Sequence, residues 1–202
     1  MLTAEHAKRL EQCLTGGGVA ILPTDTVYGL ACDPLRREAV ERLYELKGRP
    51  PERPAAVMFF ALDCAIEQLP ELDAKERAAL QALLPGPLTL LLPNPRRRFP
   101  LAGGGDSLGI RVPLLPERLA ALHAVERPLM QSSANLSGGP EARRLTDIPP
   151  ELLKGADLVI DGGELPGIAS TVLDLRNYER CGEWKIVREG PIERVALERM
   201  LA

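Results

Sequence analysis

Apolar residues along the chain form two kinds of pattern: short continuous runs and longer segments with helical spacing. Leu10 and Leu14 can share one side of a helix that ends at the glycines 16–18. Asp73 followed by Glu76 has the spacing of a capping box and predicts a helix start. Further helices are predicted at 37–47, 73–84, 116–124 and 192–201, and strands at 18–22, 55–61, 88–92, 108–112, 129–131, 158–161, 170–175 and 184–188.

The predicted elements alternate between strands and helices without a fixed repeat period, which indicates an α/β fold. Alternation of this kind favours a mostly parallel sheet. No linker is long enough to separate two globular units, so residues 1–202 are expected to form a single domain that closes with a short helix at 191–202. Residues 93–106 combine prolines, three consecutive arginines and three consecutive glycines, and we expect them to form a mobile loop.

The composition excludes several classes of protein. Apolar residues make up 45% of the 202 residues and charged residues 26%, which is the balance of a chain that buries a full core. The net charge of −3 argues against a wholly basic nucleic-acid binder, and 3% aromatic residues are too few for base-stacking platforms. No apolar run approaches the ~18 residues of a membrane span. Residues 1–14 are charged throughout and lack a signal peptide's apolar stretch, so we expect a cytoplasmic protein.

Common motifs for metal and nucleotide binding are missing from the sequence. Four widely spaced cysteines and two histidines give no pattern for disulfides or zinc, so buried free thiols are expected. The P-loop and the glycine-rich dinucleotide fingerprint are both absent. The glycines 16–18 are better explained as the end of a helix than as a phosphate cradle. For the arginines 96–98 two interpretations stay open, a solvated loop and a phosphate-binding patch.

Four polar segments contain more hydroxyl, amide and cationic groups than a turn requires. They are PTDTVYGL at 23–30, KGRPPERP at 47–54, SSANLSG at 132–138 and ASTVLD at 169–174. Lys47 and Arg49 also have a purely structural explanation, because cations at a helix C-terminus are favourable. Polar loops at the ends of several strands nevertheless predict one shared crevice that binds a polar ligand.

Six motifs, in this order and spacing, resemble the YrdC-type L-threonylcarbamoyladenylate synthase family: PTDTVYGL, ELKGRPPERP, LPGPLTLLL, DSLGIRVP, SSANLSGGP and STVLDL. The match extends over about residues 19–190. The resemblance implies a twisted, mixed α/β sheet with helices on its faces and a concave, positively charged cleft. It also implies the short single-domain form of an enzyme that condenses L-threonine, bicarbonate or CO2 and ATP. The products would be L-threonylcarbamoyladenylate, for threonylcarbamoyladenosine modification of tRNA, and pyrophosphate.

The resemblance further implies which residues perform this chemistry. The family signature corresponds to Lys47, Arg49, Ser133 and Asn135, which are expected to be catalytic and to bind ATP. Further ATP contacts are expected from Arg53, Ser107 and Arg188, and threonine contacts from Thr26, Met58, Arg111 and Ser170. These residue types suit the task, because a guanidinium binds two oxygens of a phosphate or carboxylate at once and an ammonium acts as a mobile point charge.

Three positions depart from the family pattern. Met58 stands where longer members often have a histidine toward threonine. Arg53 and Glu141 occupy nucleotide-facing positions with residue types unlike those of longer members. No carboxylate cluster resembles a metal cage, so no protein metal site is expected, and Mg²⁺ should be held mainly by the ATP phosphates.

Two other functions stay open at this point. A module that binds double-stranded or ribosomal RNA could use the same cleft, with arginines at 36–37, 96–98 and 143–144. A paralogue could adenylate a different carbamoyl substrate, although the acylphosphatase and zinc segments of hydrogenase-maturation carbamoyltransferases are absent here. The expected partners are the three substrates and downstream tRNA threonylcarbamoyl-transfer proteins. Contact with tRNA or other RNA is a further option, and no membrane partner is expected.

Overall fold

A single mixed β-sheet runs through the computed structural model, which describes residues 1–50, 53–102 and 105–201. Its strands, within these ranges, are β1 (Ala20–Leu22), β2 (Gly29–Cys32), β3 (Ala56–Met58), β4 (Leu88–Pro93), β5 (Ser107–Arg111), β6 (Leu129–Ser133), β7 (Leu158–Val159), β8 (Thr171–Asp174) and β9 (Lys185–Arg188). The α-helices are α1 (Ala4–Thr15), α2 (Arg37–Lys47), α3 (Leu62–Gln68), α4 (Ala74–Leu83), α5 (Pro150–Gly155), α6 (Tyr178–Cys181) and α7 (Arg194–Met200). Two 3₁₀ helices cover Glu117–Ala124 and Leu145–Asp147.

The strand order is β7-β1-β2-β6-β3-β5-β4-β8-β9. In the described ranges the pairs β1–β7, β3–β5 and β4–β8 are parallel and the other five neighbouring pairs are antiparallel. The mixed sheet is confirmed, whereas the expectation of a mostly parallel sheet is wrong. The polar segment after β1 returns the chain directly, so that Leu22 pairs with Gly29 of β2. A direct return makes neighbouring strands antiparallel, because a parallel pair needs a long crossover.

The predicted helices bury the apolar faces that the sequence assigns to them. In α1, Leu10 and Leu14 are buried, and α2 has the bounds that its spacing predicts. The α2 helix ends at Gly48, whose φ of 59° lies in the left-handed region that favours glycine. The α4 helix begins with the predicted capping box, in which the backbone N–H of Glu76 donates to Oδ1 of Asp73 at 2.7 Å.

Several short elements differ from the sequence-based expectations. The helix predicted at 116–124 is a 3₁₀ helix over residues 117–124. The sequence patterns do not predict β2, α3, α5 and α6, which have four to seven residues each. Periodicity is read over windows of roughly 11–18 residues, so elements of this length leave no clear signal.

The segment after β4 is anchored to the core in its described part, residues 94–102. Phe99 and Ala102 are buried, and the ring of Phe99 packs edge-on against Phe59 with centroids 6.2 Å apart. This part of the segment therefore packs against the core, and its mobility stays a prediction. Residues 103 and 104, which belong to the same expected loop, lie outside the described residues.

The four cysteines are free thiols, but only Cys32 is buried. Cys13 and Cys64 are partly buried and Cys181 is exposed, so the expectation of buried thiols is wrong for these three. In the parts of the chain that the structure describes, no helix has both the length and the apolar character needed to cross a membrane.

Candidate active site

Five neighbouring strands, β6, β3, β5, β4 and β8, form the floor of a pocket of about 210 Å³. Successive side chains of a strand point to opposite faces, so residues two apart share the floor. The strand residues that line the pocket in this way are Gln131, Ser133, Ala56, Ser107, Gly109, Arg111, Thr89, Leu91 and Val172, and Ser170, directly before β8, continues the face of Val172. Ala56 and Gly109 lie opposite each other in β3 and β5, and their small size leaves the space above them open.

Arg111 lies in this floor and is 3% exposed. Its Nη2 donates hydrogen bonds of 2.6 Å to both Oδ1 of Asp25 and Oγ1 of Thr26, and its Nη1 donates to Oε1 of Gln131 at 3.3 Å. Burial lowers the pKa of Arg111, and the charge of Asp25 opposes that shift. The Nε of Arg111 is also buried and has no partner among the described residues. The protein thus fixes this guanidinium, and Nε is its one buried N–H donor without a protein acceptor in the described ranges.

Gln131 belongs to the site although the sequence reasoning missed it. It lies in β6, and its side chain passes directly over Gly29 of β2. A β carbon at Gly29 would be 2.5 Å from Nε2 of Gln131, so any larger residue there would force the amide to shift. The available signal was a single amide in an apolar strand, together with a glycine at the end of the PTDTVYGL motif.

Ser170 connects the pocket floor to Arg188. Its Oγ lies 2.8 Å from Oγ1 of Thr89, and Nη2 of Arg188 donates to Oγ and to the backbone carbonyl of Ser170 at 3.0 and 2.8 Å. Burial lowers the pKa of Arg188; the charge of Glu141 opposes this shift and the charge of Arg49 adds to it. The cation of Arg188 is therefore held against the pocket by Ser170.

Lys47 lies at the end of α2 and is 2% exposed. Its ammonium donates to the carbonyls of Ser133 and Asn135 and, at 2.7 Å, to Oδ1 of Asn135. The Oγ of Ser133 donates to the same Oδ1 at 2.6 Å. An ammonium has three N–H donors, and these three acceptors occupy them all. Burial lowers the pKa of Lys47 to about 8, with a further lowering from Arg49 and an opposing effect of Glu141.

Arg49 lines the pocket beside Ser133. Its Nη2 donates to the carbonyl of Pro54 at 2.6 Å, and its Nε donates to the carbonyl of Arg53 at 3.3 Å. Neither contact involves an acidic side chain, so the positive charge of Arg49 is available to an anion in the pocket.

Six of the site residues expected from the sequence line this one pocket: Arg49, Ser107, Arg111, Ser133, Ser170 and Arg188. Lys47 and Asn135 are not among the lining residues but bind Ser133, and Thr26 reaches the pocket through its hydrogen bond to Arg111. The shared crevice that the polar segments predict is therefore present.

Two expected site residues are placed differently. Met58 is fully buried in the hydrophobic core and pairs with Arg111 across the β3–β5 ladder. Arg53 is exposed, and in the described contacts it offers its backbone carbonyl to Arg49 and to the hydroxyl of Tyr44. Each of the two contacts a residue that lines the pocket, Met58 by pairing with Arg111 and Arg53 through its carbonyl to Arg49. Neither side chain is part of the described pocket lining.

The described residues contain no group of three or more histidine, cysteine, aspartate or glutamate side chains that could hold a metal ion. Among the residues that line the pocket, Glu141 is the one carboxylate. Its Oε2 is buried and has no hydrogen-bond partner within the described ranges.

Several arginines that suggested RNA binding are paired with acidic residues. Arg98 lies 3.0 Å from Glu71, and both Arg143 and Arg144 contact Glu164, at 2.6 and 2.5 Å. Ion pairs of this kind reduce the positive charge that these arginines could offer to a phosphate backbone.

The model of the Sua5/YciO/YrdC family, described as telomere recombination, matches residues 12–190 of this chain. A threonylcarbamoyl-AMP synthase from Xanthomonas axonopodis pv. citri is 39% identical over 158 residues, which cover 76% of this chain and 84% of that protein. A threonylcarbamoyl-AMP synthase from Pyrococcus abyssi is 35% identical over 170 residues, which cover 80% of this chain and 48% of that protein. The chain thus spans about half the length of the P. abyssi relative.

Among solved structures, the crystal structure of P. abyssi Sua5 complexed with L-threonine resembles this fold with a TM-score of 0.82. The two sequences are 29% identical in this alignment, which covers 99% of this chain and 58% of that chain. The similarity in fold therefore includes the strands that form the pocket.

Proposed function

This chain belongs to the Sua5/YciO/YrdC family, and from that membership we propose that it is a threonylcarbamoyl-AMP synthase. The enzyme joins L-threonine, bicarbonate or CO2 and ATP into L-threonylcarbamoyladenylate and releases pyrophosphate. The product supplies the threonylcarbamoyladenosine modification of tRNA. The observation that carries the proposal is a single pocket lined by Arg111, with its unsatisfied buried N–H, and by Arg49, Arg188 and Ser133. Such a pocket offers donors to an amino-acid carboxylate and to phosphates at the same time.

We assign the surroundings of Arg111 to L-threonine. The carboxylate of an amino acid would accept the free N–H of Arg111, while the hydroxyls of Thr26 and Ser170 would provide polar contacts nearby. Asp25 fixes the guanidinium before the substrate arrives, which reduces the ordering cost of binding. The complex of P. abyssi Sua5 with L-threonine supports this assignment of the substrate.

We assign Arg49, Ser107, Ser133 and Arg188 to ATP. In the reaction, the amine of threonine adds to CO2 and loses a proton, which gives a carbamate. One carbamate oxygen then forms a bond to the α-phosphorus while the bond from that phosphorus to the bridging oxygen of the pyrophosphate breaks. Negative charge develops on the phosphates, and fixed cations and hydrogen-bond donors stabilise it.

Lys47 and Asn135 act as positioning residues in this proposal. The ammonium of Lys47 is occupied by Ser133 and Asn135, and it therefore holds the hydroxyl of Ser133 beside Arg49. Mg²⁺ bound to the ATP phosphates would neutralise charge on the leaving pyrophosphate. The lining residue with the chemistry to contact that ion is Glu141.

Product analysis tests the proposal. The purified protein is incubated with ATP, L-threonine and ¹³C-bicarbonate, and the adenylate is analysed by mass spectrometry. Threonylcarbamoyl-AMP with one ¹³C atom is the expected product, and Arg49→Ala is the matched low-activity control. An adenylate that contains another amino acid would favour the paralogue, and the absence of any adenylate would reject the enzyme.

We propose that the protein acts in the cytoplasm, where ATP and tRNA are available, and that tRNA threonylcarbamoyl-transfer proteins consume its product. A primary role as an RNA-binding module has less support, because Arg98, Arg143 and Arg144 are paired with acidic side chains.

A further inference from the structure

Two buried side-chain atoms lack a hydrogen-bond partner in the described ranges, Nε of Arg111 and Oε2 of Glu141. Both residues line the same pocket, and one atom is a donor while the other is an acceptor. Buried polar groups are nearly always satisfied, because an unsatisfied one costs about 1–3 kcal/mol. The proposed substrate carboxylate accounts for Arg111. For Oε2 of Glu141, the proposed substrate carboxylate offers no donor.

The chain fixes Glu141 on both sides. Two residues before it, the carbonyl of Gly139 accepts a hydrogen bond from Nδ2 of Asn135, which is itself held by Lys47. On the other side, the carbonyl of Ala142 accepts a hydrogen bond of 3.0 Å from the backbone N–H of Tyr28. The backbone on both sides of Glu141 is therefore held in place by the fold.

Glu141 lies among cations but pairs with none of them. Its negative charge raises the pKa values of Lys47, Arg111 and Arg188, although burial lowers all three overall. In the described structure, none of these groups lies within the 4.0 Å of an ion pair with Glu141, and their donors go to other acceptors. A free carboxylate at this place would repel the phosphates of ATP unless a cation came between them.

We propose that Glu141 is the protein ligand of the Mg²⁺ ion that enters with ATP. Mg²⁺ is usually held by one or two carboxylates together with substrate phosphates and water, and Glu141 is the single carboxylate among the residues that line this pocket. The described chain has no cluster of acidic, histidine or cysteine side chains that could bind the ion alone, so the site is complete only with nucleotide. This inference rests on the proposed function, since it takes the pocket to be an ATP site.

Nucleotide binding with and without metal tests the proposal. Calorimetry measures the affinity of α,β-methylene-ATP, which cannot release pyrophosphate, in EDTA and in MgCl₂, for the wild type, Glu141→Gln and Glu141→Asp. Glu67→Gln is the matched control, because Glu67 is an exposed glutamate on α3. Binding of Mn²⁺ to the same complexes is followed by electron paramagnetic resonance.

The Glu141→Gln substitution should act differently on nucleotide binding without and with Mg²⁺. Glu141→Gln should bind the metal-free nucleotide as tightly as the wild type or more tightly, because a repulsive charge is gone. Its gain in affinity from Mg²⁺ should fall by roughly tenfold or more, because even groups that only support a metal ligand typically contribute about 10- to 100-fold to metal affinity. Glu141→Asp should keep part of the gain, and Glu67→Gln should keep all of it.

Two results would overturn the assignment. A normal Mg²⁺ effect in Glu141→Gln, with weaker binding of the metal-free nucleotide, would make Glu141 an acceptor for a nucleoside hydroxyl or amine. A normal Mg²⁺ effect with weaker L-threonine binding would assign it to the substrate ammonium.

If the wild type did not bind the nucleotide at all, the ATP site and with it the proposed function would fail instead. Should Glu141→Gln not fold, Glu141→Asp and Mn²⁺ binding to the wild type decide the question.

Discussion

Arg111 and Asp25 form a buried ion pair, with Nη2 and Oδ1 2.6 Å apart and side chains only 4% and 5% exposed. Asp25 belongs to the PTDTVYGL segment after β1, whereas Arg111 is the last residue of β5. Asp25 also accepts a hydrogen bond from the backbone N–H of Leu114 at 3.0 Å. The pair therefore ties two distant segments together at the pocket floor.

Removal of Asp25 should destabilise the fold. Asp25→Ala would leave the guanidinium of Arg111 buried without its counter-charge, which typically costs about 3–5 kcal/mol. Urea unfolding measures the change, and Glu41→Gln is the control because it breaks an exposed pair with Arg37 at 3.7 Å. The control should change stability by about 0.5 kcal/mol or less. Equal effects of the two substitutions would contradict the role of the buried pair.

Replacement of Arg111 by lysine should impair threonine recognition. Lysine keeps the charge but loses the N–H groups that are fixed in one plane. We expect the KM for L-threonine to rise by roughly tenfold or more, consistent with the loss of ~1.5–3 kcal/mol of charged hydrogen bonding. The KM for ATP should change much less, and steady-state kinetics with each substrate varied in turn measures both. Loss of ATP affinity with normal threonine affinity would assign Arg111 to the nucleotide.

The two cations of the KGR motif should respond differently to mutation. Arg49→Ala should leave the unfolding free energy nearly unchanged but slow adenylation by roughly 30- to 1000-fold, because one contact that stabilises the transition state is lost. Lys47→Ala should also reduce stability, by about 1–3 kcal/mol, because buried acceptors of Ser133 and Asn135 lose their donor. Kinetics together with urea unfolding separates the two. If Lys47→Ala were as stable as the wild type, the positioning role of Lys47 would be wrong.

The stability contributed by Lys47 should depend on pH. Its pKa is lowered to about 8 in the folded protein, so between about pH 8 and 10.5 the unfolded chain keeps a proton that the folded chain has released. Across this window the wild type should gain stability relative to Lys47→Met, by up to about 1.4 kcal/mol per pH unit. The difference in unfolding free energy, measured at pH 7.5 and 9.5, checks this. A constant difference would contradict the lowered pKa.

The sequence predicts local structure better than it predicts strand pairing. The spacing of apolar residues and Gly48 define α2, and Asp73 with Glu76 defines the start of α4, because these signals act over one or two helical turns. Strand direction depends on partners far along the chain. The antiparallel return at 23–28 looks like an ordinary polar loop until β2 pairs with β1.

In the candidate site too, the sequence predicts residues whose signal is local and misses those whose role depends on distant parts of the chain. Motifs located Arg49, Ser133 and Arg111 because their residue types suit anionic ligands. Gln131 was missed because its role depends on the space above Gly29 in a neighbouring strand. The sequence also could not show that Lys47 is buried, because a lysine at a helix end usually faces water.

Pyrophosphate release tests the central claim most directly. The protein is given ATP and bicarbonate with L-threonine, with each of the other common amino acids, or with no amino acid, and pyrophosphate is measured over time. We predict release that requires both L-threonine and bicarbonate, that is slowed by Arg111→Lys at low threonine concentration, and that does not follow the steep salt dependence of RNA binding. Release at the same rate without threonine or bicarbonate, or with an unrelated amino acid in its place, would contradict the assignment of this pocket to threonylcarbamoyl-AMP synthesis.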